Sequence, residues 1–539
     1  MNHRKVIRCL LIFLSVLVLQ IVSQDAICSE NMNIIFILAD DLGYGDVSCY
    51  NPESKIRTPN IDRLANEGII FTDAHSSSAV CSPTRYSIMT GRYNWRSKLQ
   101  SGVLGGLSPR LIEKDRLTVA KMLHQNGYYT ACIGKWHLGM DWVLLKGKKV
   151  NELGIENPNQ VWNVDYSKPI KNSPNSVGFD YYFGISASLD MVPYTFIEND
   201  RVVELPVTKL NFPMMYGKEN QRTRLGPAAK GFNAEQVLPT LTQKAIEFIK
   251  ERKPYADKGK PFFLYLAFAS PHTPILPDKK WLGKSGINPY CDFVMATDDS
   301  VGQILNTVDE LGISTNTIVF FASDNGCSPS ADYKTLLSKG HNPSYKYRGT
   351  KADIFEGGHR IPLLVRWQGK INPGERYDET VCLIDFMATC ADLLKIKLPE
   401  NSAEDSVSVM PALFNKVKTP IREATVHHSI NGSFAIRQGK WKLILCPDSG
   451  GWSEPRPANK KNVKLSSNDS SNNLPPIQLY DLENDIGETN NLYAKYPDIV
   501  KKLAGLLERY ANQGRSTSGK PQKNEVPVNI WKYSKKIEN

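Results

Sequence analysis

Four short apolar runs in this chain each break off at once into polar, chemistry-bearing residues. Asn33–Ala39 (NIIFILA) ends at Asp40-Asp41, and Tyr128–Gly134 (YYTACIG) ends at Lys135-Trp136-His137. Pro261–Ala269 (PFFLYLAFA) ends at Ser270-Pro271-His272, and Thr317–Ala322 (TIVFFA) at Ser323-Asp324-Asn325-Gly326. Runs of this length without polar alternation read as strands buried on both faces, the pattern of a parallel sheet. Ile361–Trp367 (IPLLVRW) is a fifth such run, and helical patterns at Pro59–Gly68, Leu117–Asn126, Val237–Arg252 and Phe293–Leu311 separate them. The alternation predicts an α/β fold: a large, mostly parallel or mixed sheet sandwiched by helices. Such sheets bind ligands beyond the carboxyl ends of their strands. Asp-Asn-Gly or Ser-Pro alone is ordinary turn chemistry. Four strand ends that bring carboxylates, a lysine and two histidines to one edge point to a site.

After about residue 430 the pattern changes. Ser433–Gln438, Trp441–Leu445 and Ile477–Leu482 read as short antiparallel strands, with Gln438-Gly439-Lys440 as a hairpin turn. Pro447–Pro476, rich in Pro, Ser, Asn and Gly, reads as a long surface excursion, and Ile499–Tyr510 as a helix. The expected organisation is a domain over 30–430, a smaller antiparallel sheet with a helix over 431–515, and a loose basic tail over 516–539.

The first 29 residues read as a secretory signal peptide rather than an uncut anchor. His3-Arg4-Lys5 and Arg8 precede an apolar run from Cys9 to Val22, shorter than a bilayer span, and small residues follow at Ser23, Ala26 and Ser29. The expected cut lies between 23 and 29. Its removal leaves a net charge of +9 of the original +11, and eight of the ten Cys. That cysteine density excludes a disulfide scaffold, although Cys382 and Cys390 could bridge in an oxidising compartment. The basic residues are scattered without a block of five, and no nucleic-acid-binding module is recognisable, so a nucleic-acid partner is not expected. With 41% hydrophobic and 22% charged residues the chain is too apolar to be disordered.

Ser76–Arg92 (SSSAVCSPTRYSIMTGR) is the most informative stretch. Pro83 just inside a helical pattern places Cys81 at a helix N-terminus, where exposed N–H groups favour an anion and are expected to lower a thiol pKa. Cys81-Ser82-Pro83-Thr84-Arg85 followed by Thr90-Gly91-Arg92 resembles the signature of the sulfatase family. The resemblance extends over nearly the whole chain after the leader. It takes in Asp40-Asp41-Leu42-Gly43, Thr58-Pro59-Asn60-Ile61-Asp62, Gly134-Lys135-Trp136-His137-Leu138-Gly139, Gly178-Phe179-Asp180 and Ser270-Pro271-His272. Ser323-Asp324-Asn325-Gly326, Arg348-Gly349-Thr350-Lys351, Glu356-Gly357-Gly358 and Leu479-Tyr480-Asp481-Leu482 continue it.

The resemblance implies an alkaline phosphatase-like fold and a nucleophile made by oxidising Cys81 to formylglycine before folding. One hydroxyl of the hydrated aldehyde attacks sulfur and the alcohol leaves. The second hydroxyl then loses its proton and expels sulfate, which a plain Ser or Cys could not do. Asp40, Asp41, Asp324 and Asn325, together with residue 81, are implied as metal ligands. Oxygen donors of this kind suit a hard divalent cation, calcium by family habit or magnesium by ligand type. Arg85, one helical turn from Cys81, is expected to orient the modified side chain. Lys135 and His137, alternating out of a strand end, are expected to share a face. The family match gives Lys135 to sulfate binding and His137 to the hydrated aldehyde. His272 and Lys351 are implied to bind sulfate and to protonate or stabilise the leaving oxygen. Asp324 is implied to double as acceptor of the attacking hydroxyl's proton. Ser188 aligns with a family serine near the sulfate, but Leu189 stands where some members have His.

The reading is an exported sulfatase acting on a sulfated carbohydrate, in a periplasmic, extracellular or lysosomal-type compartment, served by a formylglycine-generating maturation enzyme. A formylglycine-dependent phosphonate monoester or phosphodiester hydrolase shares the same signature, and a non-catalytic binder of sulfated polyanions is the alternative from another class. His75, Trp95, Arg96, Asp190, Tyr194 and Trp452 lie where sugar contacts could form, although each reads first as packing or surface. Asn431-Gly432-Ser433 and Asn468-Asp469-Ser470 fit the N-glycosylation pattern.

Overall fold

The computed structural model describes residues 32–414, 416, 417, 419–457 and 474–534. The leader and the Asn468-Asp469-Ser470 sequon lie outside the described residues.

The predicted runs form the centre of a ten-stranded mixed sheet. Four strands carry the site: β1 (Asn33–Asp40), β2 (Tyr129–Lys135), β3 (Phe262–Pro271) and β4 (Thr317–Ser323). In the sheet they run β4, β1, β3, β2, all parallel, so their carboxyl ends share one edge. Tyr181–Ile185 extends the parallel set beside β2. Side chains of β1 alternate between two cores. Ile35 and Ile37 pack on one face with residues of the helices Val237–Ala256 and Pro289–Glu310. Ile34, Phe36 and Leu38 pack on the other with Val119–Gln125 and Phe386–Leu393. This two-sided burial is why the runs carry no polar alternation.

Leu363–Arg366, within the fifth predicted run, is antiparallel to β4. Residues 324–362 hold no long crossover helix: the chain stays at the carboxyl edge and re-enters the sheet from it, which reverses the strand. That detour carries Asp324, Asn325, Lys351 and Glu356.

A separate four-stranded antiparallel sheet follows the order Thr425–His428, Phe434–Gln438, Trp441–Ile444, Gln478–Asp481. The helix Pro497–Gln513 shares its core through Leu503 and Leu507, and Tyr93 and Trp95 enter that same core from the larger domain. Residues 515–534 are not a loose tail. They form a strap back to the larger domain, with Glu525 N–H donating to Arg96 O at 2.8 Å and Ile530 buried. Buried arginines explain it: Arg92 donates to Lys523 O at 2.8 Å and Arg96 to Asn524 Oδ1 at 3.0 Å. All eight described cysteines are free thiols. Cys390 lies in the core under the large sheet and Cys382 in the C-terminal core, so the two do not bridge.

Candidate active site at the carboxyl edge of the sheet

The helix α1 (Cys81–Thr90) begins at Cys81, as Pro83 just inside it predicts, and ends at Gly91 with φ 62°. Every residue of α1 is buried. A helix enclosed on all sides holds its first residue rigidly, and Cys81 points into the edge of the sheet. Its Sγ lies 3.4 Å from Asp40 Oδ1 and 3.6 Å from Lys351 Nζ.

Three acids and three bases surround it. Lys135 Nζ donates to Asp40 Oδ2 at 2.7 Å. Lys351 Nζ donates to Asp41 Oδ2 at 2.8 Å. Arg85 places both Nε (3.0 Å) and an Nη (2.8 Å) on Asp324 Oδ2, and another Nη on Lys135 O at 3.0 Å. Arg85 therefore braces Asp324 and the end of β2 while its charge still acts on Cys81. Asp41 adopts φ 65°, which turns its carboxylate toward Asn325 Nδ2 (2.7 Å) and His272 Nε2 (3.7 Å). His272 Nδ1 is held by Thr273 O at 2.7 Å.

Lys135 ends β2, but His137 has φ 58° and lies outside the strand, so strand alternation does not set its direction. Its backbone N–H donates to Ser186 O at 3.0 Å and its Nε2 lies 2.8 Å from Leu104 O. That partner assigns the proton to Nε2 and leaves Nδ1 a buried lone pair without a partner. Burial, then the Lys135 charge, hold the imidazole well below its ordinary pKa, so it is neutral. Ser188 Oγ is likewise buried and unpartnered.

Burial opposes the Asp40 carboxylate, yet Lys135, His272, Arg85 and Lys351 together hold its pKa well below the usual range. Asp324 goes the other way: burial, reinforced by Asp40, pushes it up to about 6 against the pull of Arg85. Burial also pushes the Cys81 thiol well up, in spite of Lys135 and Lys351. This reverses the expectation from the helix N-terminus, because desolvation of a thiolate outweighs a dipole and two cations already paired with Asp40 and Asp41. Unmodified Cys81 is no thiolate nucleophile.

The donor set fits a hard divalent cation. Ligand atoms of Asp40, Asp41, Cys81 and His272 lie within 4.8 Å of one another, the two carboxylates being the hard donors, while Asp324 falls outside that group and accepts from Asp41 N–H at 3.2 Å. Asn325 Oδ1 is buried with no partner while its Nδ2 is fixed on Asp41 and Gly326 O, which leaves one oxygen acceptor open beside the carboxylates. With three carboxylates matched by three cations, an added dication would make the pocket positive, as an anionic substrate requires.

Of the outlying sugar-contact candidates, His75, Trp95, Arg96 and Tyr194 are buried. Arg96 pairs with Asp405 at 2.8 Å and lies over the Trp95 ring. Asp190 is half-buried and Trp452 exposed. Asn431 turns its Oδ1 onto Ser429 Oγ and Ser433 N–H, capping its own turn.

His75 instead belongs to a second buried ionic cluster that sequence reasoning missed. Lys442 Nζ lies 3.1 Å from His359 Nε2, His359 Nδ1 3.0 Å from His75 Nδ1, and His75 Nε2 2.8 Å from Asp73 Oδ1. The His427 ring stacks on His359 at 3.9 Å. Glu356 accepts from Lys442 at 3.0 Å and from Arg360 at 3.3 Å. The pairing of Asp73 with residues near 359 and 437 carries no local sequence signal.

The sulfatase family profile matches residues 32–396. The N-acetylgalactosamine-6-O-sulfatase of Bacteroides thetaiotaomicron is 36% identical over 514 residues, covering 89% of this chain and 93% of that protein. Human arylsulfatase A is 31% identical, covering 88% and 86%. A solved structure from work on the metabolism of multiple glycosaminoglycans by Bacteroides thetaiotaomicron is 34% identical with a TM-score of 0.74, covering 89% of this chain and 99% of that one. The protein Ps i-CgsB, solved with k-i-k-neocarrahexaose, is 25% identical with a TM-score of 0.65, covering 92% and 96%.

Proposed function

Because the chain belongs to the sulfatase family and is a sulfuric ester hydrolase, we propose that it is exported and cleaves sulfate esters of a sulfated saccharide through residue 81, matured from Cys81 to formylglycine. The observation that carries this reading is the position of Cys81: first residue of a rigid buried helix, between Asp40 and Lys351, inside the family signature. The saccharide follows the relatives, an N-acetylgalactosamine-6-O-sulfatase and a carrahexaose complex. Export rests on the leader, and no helix among the described residues is long and apolar enough to cross a membrane.

In this reading Asp40, Asp41, Asp324 and Asn325 would hold a calcium ion, with magnesium the alternative, and that ion would polarise a sulfate oxygen. Lys135 and Lys351 offer ammonium donors to the equatorial sulfate oxygens, where charge builds as the S–O bond breaks. Arg85 keeps Asp324 in place. His137, neutral and with Nδ1 free of a proton, accepts the proton released at residue 81. His272, with Nδ1–H donating to Thr273 O, presents Nε2 to the leaving alcohol oxygen and protonates it as the imidazolium. Ser188 Oγ is an unsatisfied donor for a sulfate oxygen.

The test pairs matched sulfate and phosphate esters of one sugar with mass spectrometry of the Cys81 peptide, on protein from a host that makes formylglycine. Aldehyde at position 81 and preferential turnover of the sulfate, lost on chelation and in Cys81→Ala, are expected. A clear preference for the phosphorus ester would replace the substrate class. Unmodified Cys81 with a control sulfatase converted would overturn the mechanism.

A further inference from the structure

The strap over 515–534 carries an ammonium that nothing above uses onto a loop bordering Cys81. Lys532 Nζ donates to Gln100 O at 3.3 Å. The same loop contains Leu104, whose carbonyl holds His137 and whose N–H donates to Ser82 Oγ beside Cys81. On the other side, Tyr533 Oη donates to Asn431 O at 2.7 Å, and the N–H of neighbouring Ile430 donates to Ala352 O, one residue from Lys351. Lys532 and Tyr533 thus rest on main chain that is hydrogen-bonded next to Cys81 on one side and next to Lys351 on the other.

Three features there call for a ligand. Lys532 has no carboxylate partner among the described residues, and burial alone holds its pKa down to about 8. Besides Gln100 O, its ammonium has aromatic rings near it rather than a carboxylate, Phe434 at 5.5 Å and Tyr533 at 5.6 Å. A half-buried cation of this kind is costly until an anion compensates it. Beside it His428 is fully buried next to the same Gln100 backbone, and burial and then the Lys532 charge hold its imidazole well below its ordinary pKa, so it supplies no counter-charge. Two exposed aromatic rings lie on the adjoining loops, Tyr533 at 41% and Trp452 at 40% exposure. Their loops are joined where Asn431 N–H donates to Gly450 O at 3.3 Å.

We propose that Lys532, Tyr533 and Trp452 form an accessory subsite for an anionic saccharide unit adjoining the one whose sulfate is cleaved. The ammonium takes that unit's carboxylate or second sulfate, and the rings take the apolar faces of the sugar. The inference rests on the sulfated-saccharide reading above and makes the substrate a multiply anionic glycan.

The experiment measures kcat/KM of the mature full chain on three probes: a monosulfated monosaccharide, the same sugar linked to a uronic acid, and the same sugar linked to a second sulfated sugar. Lys532→Ala is expected to lower the disaccharide-to-monosaccharide ratio about tenfold, the scale of one charged hydrogen bond. Lys532→Arg should restore the ratio, and added salt should lower it in the parent. Trp452→Ala, at an exposed position outside the strap, should lower it independently of strap packing. A response with one disaccharide alone identifies the anion. A ratio unmoved by both Lys532→Ala and Trp452→Ala overturns the subsite while leaving the sulfatase reading intact. If the parent hydrolyses none of the three probes, the saccharide reading falls and the subsite with it.

Discussion

Lys135 and Asp40 meet at 2.7 Å with both side chains fully buried, and the pair spans β3 to join the ends of β2 and β1. The pair lets two carboxylates, Asp40 and Asp324, share one edge, since Lys135 and Arg85 neutralise them together. Lys135→Ala would leave Asp40 ionised and buried beside Asp324. The expected cost is about 3–5 kcal/mol of stability, as for other broken buried pairs. Turnover should fall at least about a hundredfold with it, the scale of losing one donor to developing charge. Urea unfolding and steady-state rates on one preparation check both; unchanged stability would mean that Arg85, Lys351 and His272 hold Asp40 without Lys135.

The raised pKa of the Cys81 thiol predicts slow chemistry at that sulfur. In protein made without maturation, native Cys81 should resist iodoacetamide at pH 8 and label readily once unfolded, because the thiolate is the reactive form. Mass spectrometry of the labelled peptide reads the difference. Rapid labelling of the folded chain would contradict the burial argument.

The cluster of His75, His359 and His427 makes the fold acid-labile. Burial, first among the causes, depresses all three pKa values below that of the unfolded imidazole, near 6.5. Below pH 6.5 the unfolded chain takes up protons that the folded chain does not, so stability falls as pH falls, by up to about 1.4 kcal/mol per pH unit for each group. Thermal unfolding between pH 7 and pH 5 should show the loss, and His427→Asn should flatten it. A melting temperature indifferent to pH in that window would count against buried neutral histidines.

Cutting the chain after Gly514 removes the partners of Arg92 and Arg96 in the strap, Lys523 O and Asn524 Oδ1. Each buried donor left unsatisfied should cost about 1–3 kcal/mol. Differential scanning calorimetry of the truncated chain is expected to show a lower melting temperature. An unchanged melting temperature would mean that water replaces the strap at no cost.

Much of the architecture was legible because burial on both faces leaves a local signature. The apolar runs of β1 to β4 and the polar residues just past them were visible as sequence, and the strands do end side by side. The reversed strand Leu363–Arg366 was not visible, because an apolar run buried on both faces reads the same in either direction. The strap was misread because its residues are polar: it is held by arginine side chains and carbonyls rather than by an apolar stripe. For His75, Trp95, Arg96 and Tyr194 packing is the first reading of the sequence, and the structure buries all four.

Residue chemistry is a property of the sequence. The signature at Cys81, the oxygen-rich strand ends and the order of the motifs determined the sheet, its ligand edge and the kind of ester the chain can cleave. Three-dimensional packing decided the pairing: Arg85 on Asp324, His137 with Nδ1 left bare, a thiol pushed up and not down, and Lys532 brought onto the loop beside Cys81 from 451 positions beyond it. These depend on desolvation and on contacts between residues hundreds of positions apart, and neither quantity exists until the chain has folded.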